Sequence, residues 1–175
     1  KDSQRGYDRG SVFIKDTTNL SPNWYAATDL SYVSDNHFFE DFSNQPFGSA
    51  IGLLPSTAGV YGRGHYWTAG LFAQTWEVTD PSLSDASAPY RRVPDLYFRW
   101  DQPFTEHLEL GVKSEAVRFD QMVRSGGNRI DLYPYIQLPF EKAAWFVRPE
   151  LGYRYTAYSL DAPVVPGGNT SPVRG

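Results

Sequence analysis

The stretch Arg129-Ile130-Asp131-Leu132-Tyr133-Pro134-Tyr135-Ile136-Gln137-Leu138 changes side-chain character at every step. Ile130, Leu132, Pro134, Ile136 and Leu138 form one file; Arg129, Asp131, Tyr133, Tyr135 and Gln137 form the other. Successive side chains of an extended chain point to opposite faces, so a period of two means a strand with one apolar and one polar face. The preceding segment, 107–119, sets Leu108, Leu110, Val112, Ser114 and Ala116 against Glu109, Gly111, Lys113 and Glu115. The following one, 144–158, sets Trp145, Val147, Pro149, Leu151, Tyr153 and Tyr155 against Phe146, Arg148, Glu150, Gly152 and Arg154. Every central charge of these three segments falls in one file.

The same period predicts eight strands, over 10–17, 24–33, 57–63, 67–78, 90–100, 107–119, 128–139 and 144–158, and no window of ten residues carries a helical stripe. Soluble strands usually run about five or six residues. Several here are longer and reach the roughly 9–11 residues with which a tilted strand crosses a bilayer. Short connections at 18–23, 63–66, 101–106 and 140–143 alternate with long ones at 34–56, 79–89, 120–127 and from 161 onward. That alternation is the pattern of an up-and-down membrane barrel, with tight turns on one side and long loops on the other. The expected fold is all-β: an antiparallel up-and-down transmembrane β-barrel wall in a single partial domain over 1–175. The Pro/Gly/Ser-rich tail, 162–175, reads as a loop cut short.

Composition narrows the function classes. The 175 residues include 5 Trp, 12 Tyr and 11 Phe, too many aromatics for a disordered chain. A net charge of −4 excludes a general binder of nucleic acid, which needs an excess of Lys and Arg. The absence of Cys removes disulfides and thiolate zinc sites. No apolar run approaches the 18 residues of a transmembrane helix, and Lys1–Gly10 is too polar for a signal peptide.

Alternation alone leaves open which face is wet. A charge facing lipid at mid-bilayer costs about 2–4 kcal/mol, so a membrane wall requires this segregation. A soluble lipocalin-like barrel holding an apolar ligand would show it inside out. Tryptophan separates the two readings. Trp24, Trp67, Trp100 and Trp145 all fall in apolar files and flank short turns. Because strands alternate in direction, the four come to one height, as an aromatic girdle at a membrane interface does. Tyr32 and Tyr90 stand at the opposite, long-loop ends. Arg92 and Arg118 are the exceptions in the dry files. Both lie near a long loop, where an arginine can snorkel to water or pair with a lipid phosphate.

Particular words now add to the periodicity. Tyr32-Val33-Ser34-Asp35 followed by Phe38-Phe39-Glu40-Asp41-Phe42 resembles a segment of the LptD family of lipopolysaccharide-assembly proteins. Tyr90-Arg91-Arg92-Val93-Pro94-Asp95-Leu96 is similar to that family's Tyr-Arg-x-x-Pro-x-Leu strand. Arg129 to Phe140 resembles its hairpin ending in Leu-Pro-Phe, and Pro149-Glu150-Leu151 with Tyr155-Thr156-Ala157-Tyr158 continues in register. The resemblance covers about residues 9–160. It implies a location in the bacterial outer membrane and a slice of a larger barrel that inserts lipopolysaccharide into the outer leaflet. It also implies outer-membrane lipid around the wall, a plug lipoprotein (LptE) inside it, and periplasmic bridge proteins reached through a jelly-roll domain outside this chain.

Catalytic and metal chemistry find little footing. His37, His65 and His107 are scattered without ligand spacing. Gly62-Arg63-Gly64 opens a turn, not a phosphate-cradling helix, and Ser125-Gly126-Gly127 is a plain loop. Neither a catalytic residue nor a metal or other cofactor is expected. The polar file Glu109, Lys113, Glu115, Arg129, Asp131, Arg148, Glu150 and Arg154 reads as a solvated ion-pair lattice facing the lumen. Arg92 and Arg118 are the candidates for contact with lipid phosphate. Pro94, Pro134 and Pro149 fall inside strands and are expected to mark bulges. The apolar loop 34–56, with Phe38, Phe39, Phe42, Phe47, Ile51, Leu53 and Leu54, is expected to fold over the barrel mouth or to pack on a partner surface. The expectation is a non-enzymatic lipid-transport wall. The competing readings are a soluble ligand-binding barrel, an outer-membrane lipid-modifying enzyme and a generic porin fragment.

Overall fold

A computed structural model describes residues 8–42, 52–163 and 166–175. Among these residues twelve strands carry nearly all the regular structure. They are β1 (Ser11–Ser21), β2 (Trp24–Val33), β3 (Leu53–Arg63), β4 (Trp67–Val78), β5 (Arg91–Thr105), β6 (Leu108–Asp120), β7 (Gly127–Gln137), β8 (Phe140–Lys142), β9 (Trp145–Val147), β10 (Glu150–Gly152), β11 (Tyr155–Leu160) and β12 (Val173–Arg174). Among the described residues, a five-residue helix, α1 (Phe38–Phe42), and a 3₁₀ turn (Asp85–Ser87) sit in long connections. The main sheet runs β1-β2-β3-β4-β5-β6-β7-β11-β12, each strand antiparallel to its neighbour, with β10 also on β7. β1 and β12 end the order without meeting, so among the described residues the sheet is open.

The hairpins are longer than their sequence suggests, because pairing continues almost to the tips. β1 reaches Ser21, leaving Pro22–Asn23 as the turn rather than 18–23. β5 runs through Pro103 to Thr105, so the turn is Glu106–His107 rather than 101–106. The 140–143 connection is itself paired: Phe140 faces Val147 and Lys142 faces Trp145, which leaves Ala143–Ala144. β3 begins at Leu53, so Leu53 and Leu54 belong to the wall and not to a loop over the mouth. Phe47 and Ile51 of that loop lie outside the described residues. The tail is not only a loop, since Val173 and Arg174 pair with Ala157 and Thr156.

β7 to β11 form one hairpin in a single register, from Gly127 opposite Leu160, through Tyr135 opposite Gly152, to Lys142 opposite Trp145. Its two interruptions are chemical. Tyr153 N–H donates to the Pro134 carbonyl at 3.1 Å, and Leu138 N–H to the Pro149 carbonyl at 2.9 Å, but neither proline has an N–H to return. These prolines loosen the ladder without a bulge. Pro94 differs. Arg92 pairs with Phe119 and Asp95 with Val117, so Val93 and Pro94 together oppose Arg118 alone. That extra residue is a bulge, and it reverses the facing of everything before it in β5.

Exposure tells the two faces apart. Along β7, Ile130, Leu132, Pro134 and Ile136 are exposed, while Asp131 and Tyr135 are buried and Arg129 and Tyr133 half-buried. Side chains crowd on the concave side of a curved sheet and splay on the convex side, so the polar file is inside. Leu132 is 41% and Leu151 78% exposed. Buried polar groups (Thr79, Asp95, Gln121, Asp131) match buried apolar ones (Val33, Leu54, Val117, Tyr135) in number among the described residues. A soluble barrel with a greasy centre needs the reverse, and this overturns the lipocalin-like alternative.

Candidate functional site: the polar face of the sheet

Strand register places Glu109, Lys113 and Glu115 of β6, Arg129 and Asp131 of β7, and Glu150 of β10 on one face. Arg154 joins them between β10 and β11, where its Nε and Nη2 donate to the Asp131 carboxylate at 2.9 and 3.0 Å. The Thr156 hydroxyl donates to the same carboxylate at 2.6 Å. Arg129 is salt-bridged to Glu115, and Arg148 to Glu141 near the last turn. The Tyr133 hydroxyl donates to Glu150 at 2.6 Å. Asp131 is therefore a junction that ties β11 to β7 from the inside. The Asp131→Asn variant keeps the shape but discards the charge. It is expected to lose about 1 kcal/mol, since Arg154 is largely in water, and to lower the urea midpoint of the refolded barrel without changing its slope.

Arg92 is not where its sequence position suggested. The bulge at Val93–Pro94 turns it from the outward to the inward file, where its Nη1 stands 3.4 Å from Asp95 Oδ2. Arg91 takes the outward position and is paired with Asp120. Arg118 does stand on the outward file at the long-loop rim, held by Asp161 at 3.0 Å.

Sequence reasoning also left a band of inward aromatics unread. Tyr25 stacks on Tyr61 (5.3 Å), Tyr61 on Phe72 (6.2 Å), and Phe72 meets Tyr97 edge-on (6.4 Å), crossing β2 to β5. Tyr133 and Tyr135 stack at 5.7 Å further along. Several of these rings lie over glycines. A Cβ at Gly70 or Gly111 would run into the ring of Tyr97 or Tyr135, and one at Gly152 would come within 2.6 Å of Tyr133 Cζ. Glycine at a strand position where a ring lies across the backbone is a packing requirement. Between the two aromatic groups, a recess of about 370 Å³ is lined by Phe72, Asp95, Tyr97, Arg99, Lys113 and Arg154 among others.

The outward face is apolar. Trp24 and Trp67 touch (5.5 Å), Trp67 pairs with Trp100, and Trp145 is ten residues nearer the turn than Tyr155, which shares a register line with Trp24. The four tryptophans therefore do not share one register line, and they would stand level only on strands tilted by that drift. Trp100, Leu110, Val112, Pro134, Ile136 and Leu151 border an open apolar groove of about 710 Å³. The three histidines stay apart: His65 packs on Tyr66 and His107 on Phe140.

At the long-loop rim the Ser34-Asp35 word closes a clasp. The Arg9 side chain is 1% exposed; its Nε and Nη2 donate to Asp35 at 2.7 and 2.8 Å, and its Nη1 to Asp41 of α1 at 2.6 Å. Burial alone would raise the Asp35 carboxyl. Hydrogen bonds from Arg9, the Ser34 hydroxyl and the His37 N–H, with the Arg9 charge, outweigh it and hold the group below the ordinary carboxylate range. A depressed folded value contributes stability that is present above the unfolded value of about 3.9 and lost as pH falls through the folded one. Amide exchange of residues 34–42, corrected for intrinsic rates, is expected to be flat from pH 7 to 5 and to accelerate below about pH 4. Arg9→Ala should show the accelerated rate already at pH 7.

Comparison with known proteins bears on what such a wall belongs to. The family model described as "LPS transport system D", LptD, matches residues 7–172. A protein named LPS-assembly protein LptD from Xylella fastidiosa (strain Temecula1) is 39% identical over 99% of this chain and 25% of its own length. Those of Xanthomonas oryzae pv. oryzae (strain MAFF 311018) and Xanthomonas campestris pv. campestris (strain 8004) are also 39% identical, over 95% and 99% of this chain. The chain spans about a quarter of the length of these curated relatives.

Proposed function

The chain belongs to the LptD family of LPS transport proteins, and on that premise we propose that it is part of the wall of an outer-membrane barrel that delivers lipopolysaccharide to the outer leaflet. The apolar files hold the wall in the bilayer. The polar face lines the route of the glycolipid's saccharide and meets the plug lipoprotein LptE, and the periplasmic bridge docks through parts of the protein beyond this chain. Glu109, Lys113, Glu115, Arg129, Asp131, Arg148, Glu150 and Arg154 keep the lumen hydrated. Arg118, at the outward rim, meets lipid phosphate by exchanging it for Asp161. The role is transport and not catalysis.

The observation that carries this reading is the inversion of the sheet: ionised groups inside and half-buried, leucine and isoleucine outside and exposed. A wall between lipid and a watery passage needs that arrangement. The test uses the full-length protein in cells, with a photoreactive phenylalanine analogue at Tyr97 on the inner face or at Leu151 on the outer face near the short turns. Irradiation during lipopolysaccharide export is expected to yield a glycolipid adduct at Tyr97 and none at Leu151. An adduct at Leu151 alone would overturn the assignment.

A further inference from the structure

The polar face satisfies most of its charges. Arg129, Arg148 and Arg154 are each held by a carboxylate, and Arg92 lies against Asp95. Three inward cations on one register line, Arg63, Arg99 and Lys113, have no such partner among the described residues, and the last two are adjacent. Arg99 and Lys113 are direct register partners on β5 and β6, and among the described residues neither side chain has a carboxylate within salt-bridge distance or a hydrogen bond. The Arg99 guanidinium lies 5.9 Å from the Tyr97 ring centre, and the Lys113 ammonium lies 4.6 and 5.7 Å from those of Tyr135 and Tyr133. Like charges directly opposite each other destabilise a sheet. Both side chains are exposed to the recess, so their donors are available to something that enters it. Beside them Asp95 is 1% exposed, and its Oδ1 has no partner.

We propose that Arg99 and Lys113, with the rings of Tyr97, Tyr133 and Tyr135, form a subsite for a phosphorylated sugar on the inner wall. It deepens the transport reading and rests on it. The guanidinium and the ammonium together offer up to eight N–H donors to one phosphomonoester, which relieves their mutual repulsion. The flanking rings offer flat apolar surface to the C–H face of the attached sugar. The unpartnered Asp95 oxygen, deep in the same recess, is an acceptor for a sugar hydroxyl. The recess of about 370 Å³ falls within the range of about 300–1,000 Å³ typical of small-molecule clefts. The subsite is inside, whereas the outer-rim arginines are already engaged by Asp120 and Asp161.

The test is saturation-transfer NMR on the full-length protein in detergent, with glucose 6-phosphate, glucose and inorganic phosphate as probes. The wild type is expected to transfer saturation to the ring protons of glucose 6-phosphate, to transfer little to glucose, and to broaden the ³¹P line of inorganic phosphate less than that of the phosphosugar. Arg99→Gln/Lys113→Gln should cut transfer to glucose 6-phosphate at least tenfold, with heat-resistant mobility of the folded barrel unchanged. Should the double variant misfold, Lys113→Gln alone, at an exposed site, is expected to give about a threefold loss. Equal broadening by phosphate and phosphosugar would mean an anion site without a sugar platform and overturn the proposal. So would equal transfer in variant and wild type, or none in the wild type. If the Tyr97 adduct forms in cells but these titrations fail, transport stands and the subsite falls; if both fail, so does the transport reading.

Discussion

Leu132→Arg is expected to cost the folded wall about 2–4 kcal/mol, the penalty for a cation on the lipid face at the bilayer midplane. Leu132 projects outward, is 41% exposed, and stands midway between the long-loop end of β7 at Gly127 and Leu138 near the belt of tryptophans. An arginine there is too far from either rim to bring its head group to water at no cost. The expected readout is a sharp fall in the fraction of full-length protein that refolds into lipid vesicles and keeps its compact mobility on unheated gels. Height along the strand is a second handle. Leu110 projects outward as well, but it lies just beyond the Glu106–His107 turn, so Leu110→Arg should cost only about 0–1 kcal/mol, as near an interface. Lys113→Gln on the inner face should refold like the wild type. Equal defects at Leu132 and Lys113 would mean that the faces are assigned wrongly.

Gly59→Val is expected to cost about 3 kcal/mol, at the upper end for an overpacked site. Gly59 pairs with Phe72 across β3 and β4. A Cβ at position 59 would lie 2.5 Å from Phe72 Cβ, 2.8 Å from the Leu71 carbonyl oxygen and 2.9 Å from Phe72 Cα. Two of those atoms are backbone, so no rotamer change clears the space and the strands themselves must part. Gly59→Ala should show most of the loss. Gly10→Ala, where a Cβ would meet nothing within 4 Å, should show none. Urea unfolding of the refolded barrel gives the comparison, and a Gly59→Val midpoint within error of wild type would refute the close approach.

The strands and their two faces are legible because both depend on period-two spacing, a property of the sequence itself. What was not legible depends on partners. Hairpin tips extend past Pro103 and through Phe140–Lys142 because cross-strand hydrogen bonds outweigh local turn propensity there. Parity does not give the facing of Arg92, because β5 has one residue more than β6 at Val93–Pro94. The proline is the signal that such a count is unsafe. It marked a bulge in this one case out of three, since Pro134 and Pro149 keep the register. The inner site was only half visible. Charges stand out in a file, whereas Tyr97, Tyr133 and Tyr135 look like ordinary strand formers until their rings are found lying over glycines. Arg99 and Lys113 become neighbours only once β5 and β6 are in register.

If the polar face lines a transport passage, as proposed, those recumbent tyrosines would set its clearance. A tyrosine standing upright would narrow it by most of the ring's length; laid flat over Gly70, Gly111 and Gly152, each adds little more than the thickness of its ring. A bulky cargo sliding past would meet a smooth paving at these rings, its hydroxyls wettable and its faces slippery. Every glycine beneath a ring is a tile bed, and filling one in would raise an obstacle in the road without removing a single contact from the bilayer side.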